Sequence, residues 1–236
     1  MKDCQGRVPA VSALQLNKQY GKQTILKDIT FQADFGECIG IFGENGCGKS
    51  TLLSILSGAR RPSSGTLLFS GEDALSHPSL FQSSIGYLPQ ENPLIDRLSV
   101  MDNLSLWYGG GKKLKKALTD GLPCRFGLDR FAKQPVFTLS GGLKKRLSLA
   151  CALANDPQIL IMDEPTAALD LVCKAEIRAY LTSYLAHGGL VILTTHEDSE
   201  FSLCTRSFLM EGGVLLPLEN PIDGSILLSR MGGHHE

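Results

Sequence analysis

Gly43-Glu44-Asn45-Gly46-Cys47-Gly48-Lys49-Ser50 sets three glycines, a lysine and a hydroxyl at the spacing G-x-x-x-x-G-K-[ST]. Glycines let successive backbone N–H groups turn inward around phosphate oxygens. A helix starting near Gly48 would aim its positive end at the same charge. Lys49 is then placed for the terminal phosphates, and the Ser50 hydroxyl can ligate Mg²⁺. Thr51, next on that helix, is counted with the loop. Cys47 lies beside Lys49 at a helix N-terminus, so its thiol is expected to ionise more readily than a free one. Far downstream, the apolar run Ile159 to Met162 ends in Asp163-Glu164. A buried strand delivering two carboxylates at its carboxyl end suits a phosphate site. Asp163 would hold Mg²⁺, directly or through water, and Glu164 would polarise the attacking water.

A second anion nest follows from Leu139-Ser140-Gly141-Gly142, which stands just before a helical stretch, Leu143 to Ala154. A chain with one phosphate loop uses a second nest only if a partner's terminal phosphate docks there. This stretch resembles the ABC (ATP-binding cassette) signature LSGGQ, with Leu143 in place of the glutamine. Other landmarks fall in order. Tyr20 resembles the aromatic that stacks on adenine. Gln90, after Tyr87-Leu88-Pro89, resembles the glutamine that touches Mg²⁺ and senses the partner. Ala168-Leu169-Asp170 is similar to the D-loop, with alanine for the usual serine. His196, in Thr194-Thr195-His196-Glu197, resembles the switch histidine that contacts the γ-phosphate.

The elements that must position these residues alternate between strand and helix, which points to an α/β fold with a largely parallel sheet. Strands are expected at Val11 to Leu16, Ile29 to Ala33, Cys38 to Phe42, Thr66 to Phe69, Ile85 to Leu88, Ile159 to Met162 and Leu190 to Thr194. Between Gln90 and Leu139 the strand signals stop. Helical pieces are expected around Ser99 to Tyr108 and Lys113 to Thr119, separated by Gly109-Gly110-Gly111. The chain has 236 residues, 43% hydrophobic and 20% charged, with a formal net charge of -1. That balance gives a core and a soluble surface, and no global field favouring nucleic acid or an anionic membrane. No apolar run approaches the ~18 residues needed to span a bilayer. Met1 to Ala10 lacks the apolar core of a signal peptide. Seven dispersed cysteines, without a C-x-x-C pair, read as reduced thiols.

The resemblance implies a P-loop NTPase fold of the ABC ATPase type. It would have a mainly parallel central sheet, an antiparallel β-subdomain and an inserted helical subdomain. Residues 1–236 form one nucleotide-binding domain, with 91–154 as the helical signature subdomain. It implies binding and hydrolysis of ATP with Mg²⁺, and two cassettes meeting head to tail. Each site takes Lys49, Ser50, Gln90, Asp163, Glu164 and His196 from one chain, and Ser140, Gly141 and Gly142 from the other. The expected partners are a second cassette, as homodimer or heterodimer, and separate transmembrane permease subunits, placing the chain on the cytoplasmic face of the membrane. No nucleic-acid partner is expected. Pro93, Leu94, Leu98, Leu106 and Trp107 are the expected anchors for the permease. The compact cassette resembles those of ABC-2-type exporters. The competing reading is a soluble ABC ATPase of iron–sulfur cluster assembly or a similar role.

Overall fold

The computed structural model of the chain describes residues 8–167, 169–195 and 198–219. Strands β1 (Val11–Tyr20) and β2 (Gln23–Ala33) pair antiparallel around a turn at Gly21 and Lys22. Gly21 has φ +56°, the left-handed conformation that a tight hairpin requires. Strand β3 (Cys38–Phe42) runs into helix α1 (Lys49–Leu56) through the phosphate loop. Strands β4 (Ser64–Phe69) and β5 (Glu72–Asp73) complete a four-stranded antiparallel sheet ordered β2-β1-β4-β5. Helix α2 (Ser79–Ser84) then leads into β6 (Ile85–Leu88).

After β6 come the helices α3 (Val100–Tyr108), α4 (Gly111–Asp120), α5 (Leu122–Arg125) and α6 (Gly141–Ala152). The chain returns to the sheet as β7 (Ile159–Asp163), helix α7 (Leu171–Ala186), β8 (Leu190–Thr194), helix α8 (Asp198–Phe201), β9 (Arg206–Glu211) and β10 (Val214–Leu218). The six-stranded sheet is ordered β10-β9-β3-β8-β7-β6, and only β10 runs antiparallel to its neighbour.

Alternation along the central strands explains why both faces of this sheet are covered. Ile39, Ile41, Ile159, Ile161, Leu190 and Ile192 join one apolar core with α1 and the antiparallel sheet. Cys38, Leu160, Met162, Val191 and Leu193 join a second core with α3, α6 and α7. Successive strand residues point to opposite faces, so a strand buried on both sides has no polar alternation. Each fully buried Leu or Ile contributes about 1.5–3 kcal/mol relative to exposure.

The helix ends follow from local chemistry. Ser99 caps α3: its hydroxyl accepts from the Asp102 N–H at 3.1 Å, and the Asp102 carboxylate accepts from the Ser99 N–H at 3.2 Å. The expected helix from Ser99 is therefore shifted by one residue, with Ser99 as its cap. The Gly109-Gly110-Gly111 breaker ends α3, but Gly111 itself opens α4. The signature helix begins two residues earlier than expected, at Gly141, because the Ser140 hydroxyl caps it by accepting from the Leu143 N–H at 3.3 Å.

Candidate nucleotide-binding site

The phosphate loop joins the carboxyl end of β3 to α1, and two of its glycines are fixed by geometry. Gly43 has φ +148°, and a Cβ there would lie 2.4 Å from the Met210 carbonyl oxygen; Gly48, before α1, has φ +116°. No other residue type fits either position without strain. Lys49 folds back so that its Nζ donates to the carbonyls of Gly43 at 2.7 Å and Glu44 at 2.9 Å. It is only 6% exposed, and among the described residues no carboxylate pairs with it. A buried ammonium served by neutral carbonyls alone favours an anion in the loop.

The paired carboxylates arrive together at the end of β7. Asp163 ends β7, is 3% exposed, and accepts from the Thr194 hydroxyl at 2.6 Å. The Glu164 N–H donates to that same hydroxyl and to the Thr194 carbonyl, both at 3.1 Å. Glu164 sits in the left-handed region at φ 48°. Its Oε2 accepts from Gln90 Nε2 at 3.1 Å, across 74 residues of sequence. Thr194, read from sequence only as a strand end, thus holds the Asp163 carboxylate and the Glu164 backbone.

These groups converge on a cavity of about 500 Å³ lined by Tyr20, Lys49, Ser50, Thr51, Gln90 and Glu164, together with the loop residues Asn45, Gly46 and Gly48. Asp163 lines an adjoining space with Tyr20, Ser50, Thr51 and Gln90. The set Ser50, Gln90 and Asp163 is one hydroxyl, one amide and one carboxylate, an all-oxygen donor set that fits Mg²⁺ with water completing its shell. Ser140, Gly141 and Gly142 line neither space; Ser140 and Gly141 are exposed at the start of α6. Ala168 and His196 lie outside the described residues.

The thiol of Cys47 departs from expectation. Burial raises it above its ordinary value, and the opposing charge of Lys49 does not compensate. Cys47 is half-buried against the apolar core, so the loss of solvation outweighs the loop's positive potential.

Tyr20 ends β1 with its ring 41% exposed. The Lys18 ammonium sits 5.0 Å from the ring centroid, and Arg60 Nη1 donates to the phenol oxygen at 2.9 Å. On α6, the Ser148 hydroxyl donates to Asn92 Oδ1 at 3.0 Å, two residues past Gln90. One turn earlier Lys145 is 5% exposed; burial lowers its pKa, while Asp163, Glu164 and Glu200 act to hold it up. Neither Ser148 nor Lys145 carries a motif signal, since both sit inside the apolar periodicity of α6.

A cleft of about 790 Å³ opens beside the site, lined by Arg60, Phe81, Tyr87, Pro89, Pro93 and Trp107 among others. Of the five expected anchors, Pro93 and Trp107 line it. Leu94 packs into the second core, Leu98 is half-buried, and Leu106 is 61% exposed.

A mainly parallel sheet that brings a phosphate loop and a carboxylate pair to two adjoining spaces defines a phosphate-loop nucleotide-binding domain. The profile of the ABC transporter family matches residues 26–167, and the chain belongs to that family. The Nod factor export ATP-binding proteins I of Ralstonia nicotianae and Sinorhizobium fredii are each 36% identical to it, over 213 and 208 residues. Those alignments cover 88% and 86% of this chain, and 66% and 61% of the relatives. The chain thus spans less than two thirds of their length.

Among solved structures, cbiO1 from Clostridium perfringens, described as part of an ABC transporter complex, superposes with a TM-score of 0.77 at 30% identity. That match covers 95% of this chain and 92% of cbiO1. A dimeric ATP-binding cassette in a post-hydrolysis state, bound to ADP and Pi, superposes with a TM-score of 0.77 at 27% identity. It covers 87% of this chain and 96% of that one. Among the described residues no helix is long and apolar enough to cross a membrane.

Proposed function

We propose that the chain binds ATP with Mg²⁺ and hydrolyses it as the ATP-binding subunit of an ABC transporter, working with a second cassette and with separate transmembrane subunits. One observation carries the reading: Lys49, Gln90 and Glu164 come from three distant segments and meet in one cavity. The relatives are export proteins by name, which favours a transport role over a soluble one.

In this reading the loop N–H groups and Lys49 hold the β- and γ-phosphates, and Tyr20 stacks on the base. Ser50, Gln90 and Asp163 hold Mg²⁺, which supplies charge neutralisation on the phosphate oxygens. Glu164 accepts a proton from the attacking water as its oxygen bonds to the γ-phosphorus and the bond to the bridging oxygen breaks. Gln90 keeps the Glu164 carboxylate aimed at that water. Catalysis is positioning and charge stabilisation. Ser140, Gly141 and Gly142 serve the partner cassette's nucleotide, with residues 91–154 acting as the signature-bearing lobe of one 1–236 domain. His196 is assigned the γ-phosphate contact on resemblance alone. The cleft at Trp107 receives a short segment of the membrane subunit, and the chain then lies on the cytoplasmic face.

Titration calorimetry of the full chain with ATP in Mg²⁺ tests the nucleotide reading. Lys49→Ala should bind at least about tenfold more weakly, as loss of a charge-assisted contact implies. Unchanged affinity in that variant would overturn the assignment of the loop.

A further inference from the structure

The Tyr20 ring stands at the end of a strand, next to a hairpin turn, and the residue is 41% exposed. Two cations flank it. Arg60 Nη1 donates to the phenol oxygen at 2.9 Å, and the guanidinium carbon lies 5.8 Å from the ring centroid. The Lys18 ammonium lies 5.0 Å from the same centroid and donates to the Arg61 carbonyl at 2.7 Å. Both restraints lead back to the loop that follows α1.

That loop is itself rigid. Ser57 and Gly58 donate backbone bonds to the Leu53 and Ile55 carbonyls, and the Arg60 N–H donates to the Ser54 carbonyl at 2.9 Å. Gly58 has φ +77°, and a Cβ there would lie 2.5 Å from the Phe81 ring, so the turn admits only glycine. Helix α1 therefore starts at the lysine of the phosphate loop and ends in the turn that fixes Tyr20. Its eight residues measure about 12 Å. The spacing between the phosphate site and the aromatic ring is built into one element.

We propose that Arg60 is a positioning residue for nucleotide binding, holding the Tyr20 ring through its hydroxyl at the distance and angle that the base of a purine nucleotide meets once its phosphates are in the loop. This rests on the reading of Tyr20 as the base-stacking residue. Arg60 also lines the space that holds Ser50, Gln90 and Asp163, so a ligand without a base separates its action through the Tyr20 hydroxyl from any action on phosphate. The guanidinium fork is planar and loses less freedom per bond than an ammonium, which suits it to orienting a ring.

The experiment compares two ligands on the full chain, ATP and inorganic tripolyphosphate, each with Mg²⁺. Arg60→Ala should weaken ATP about fivefold, a typical loss for one orienting hydrogen bond, raise KM by the same factor and leave kcat unchanged. Tripolyphosphate, which has no base, should bind the variant and the parent alike, and this also shows that the variant is folded. In a Tyr20→Phe background, Arg60→Ala should cost nothing further, because the hydroxyl it acts through is gone. The inference is overturned if the two losses multiply, or if tripolyphosphate weakens as much as ATP. If Tyr20→Ala weakens ATP while Arg60→Ala does not, only the role of Arg60 fails. If Tyr20→Ala itself leaves ATP binding unchanged, the base-stacking reading fails first.

Discussion

Gln90 and Glu164 share a hydrogen bond of 3.1 Å, amide nitrogen to carboxylate oxygen, across the mouth of the phosphate loop. One residue follows the edge strand β6, and the other follows β7, the strand beside it. Any movement of the segment after β6 is therefore felt by the carboxylate assigned to take the proton.

Glu164→Gln should keep that geometry while removing the proton acceptor. Nucleotide binding is expected to persist and turnover to fall about 10²–10⁴-fold. Size-exclusion chromatography should show a dimer with MgATP and a monomer without it. Turnover at the parental rate would remove Glu164 from its role.

Thr194→Val tests the hydroxyl that donates to Asp163 and accepts from the Glu164 N–H. The substitution keeps the shape but leaves a buried carboxylate without its donor, at a cost of about 1–3 kcal/mol. Urea denaturation should show that loss together with reduced turnover, and Thr194→Ser should recover both. A variant as stable and active as the parent would show that the carboxylates need no such anchor.

Lys49→Ala and Ser140→Arg should each abolish ATPase activity alone and restore it when mixed. A dimer holding one chain of each kind keeps one site with an intact loop and an intact signature. Ser140 is exposed and does not line its own chain's cavity, which is the observation behind this expectation. Silence in mixtures proven to contain such dimers would argue against a shared site.

The thiols set an alkaline limit. Burial pushes Cys151 up to about 12 and raises Cys47, while a hydrogen bond with Cys204, followed by burial, raises Cys38. Unfolded thiols ionise near ~8.5. The stabilising contribution of these groups is complete below that value and is lost as pH rises toward the folded values. Burial also pushes Tyr87 and Tyr180 up to about 12, which adds to the loss above about pH 10, near the ordinary tyrosine value. The urea midpoint should fall steadily between pH 8 and pH 10.5, and a flat profile would contradict the sign. Maleimide at pH 7 should label Cys47 more slowly than a free thiol.

Where the sequence speaks in uninterrupted apolar runs, its reading matches the structure to the residue: Cys38–Phe42, Ile85–Leu88 and Leu190–Thr194. These strands are bounded by glycine, proline or polar breaks; Cys38–Phe42 and Leu190–Thr194 are buried on both faces and Ile85–Leu88 on one, so length and composition suffice. The hairpin of β9 and β10 was not anticipated. Arg206–Glu211 holds a short apolar centre, and Pro217 weakens the strand signal of its partner. Pro217 is tolerated because β10 is a sheet edge. The local cue was Gly212-Gly213, both at positive φ, which form the two-residue turn. The phosphate loop and carboxylate pair were legible because their spacing is local. Thr194, Arg60 and Lys145 were not, since each matters only through a partner that folding brings near.

Glu164 occupies a left-handed backbone conformation that costs a side-chain-bearing residue about 1 kcal/mol or more. The position therefore sets chain stability against chemistry. Glycine or asparagine there would relax the backbone and lose the proposed proton acceptor; valine or isoleucine would aggravate the strain. A population of variants screened only for resistance to heat should accumulate glycine and asparagine at this position. The carboxylate is retained only under selection for turnover, so its identity reports that pressure more directly than any residue of the buried sheet.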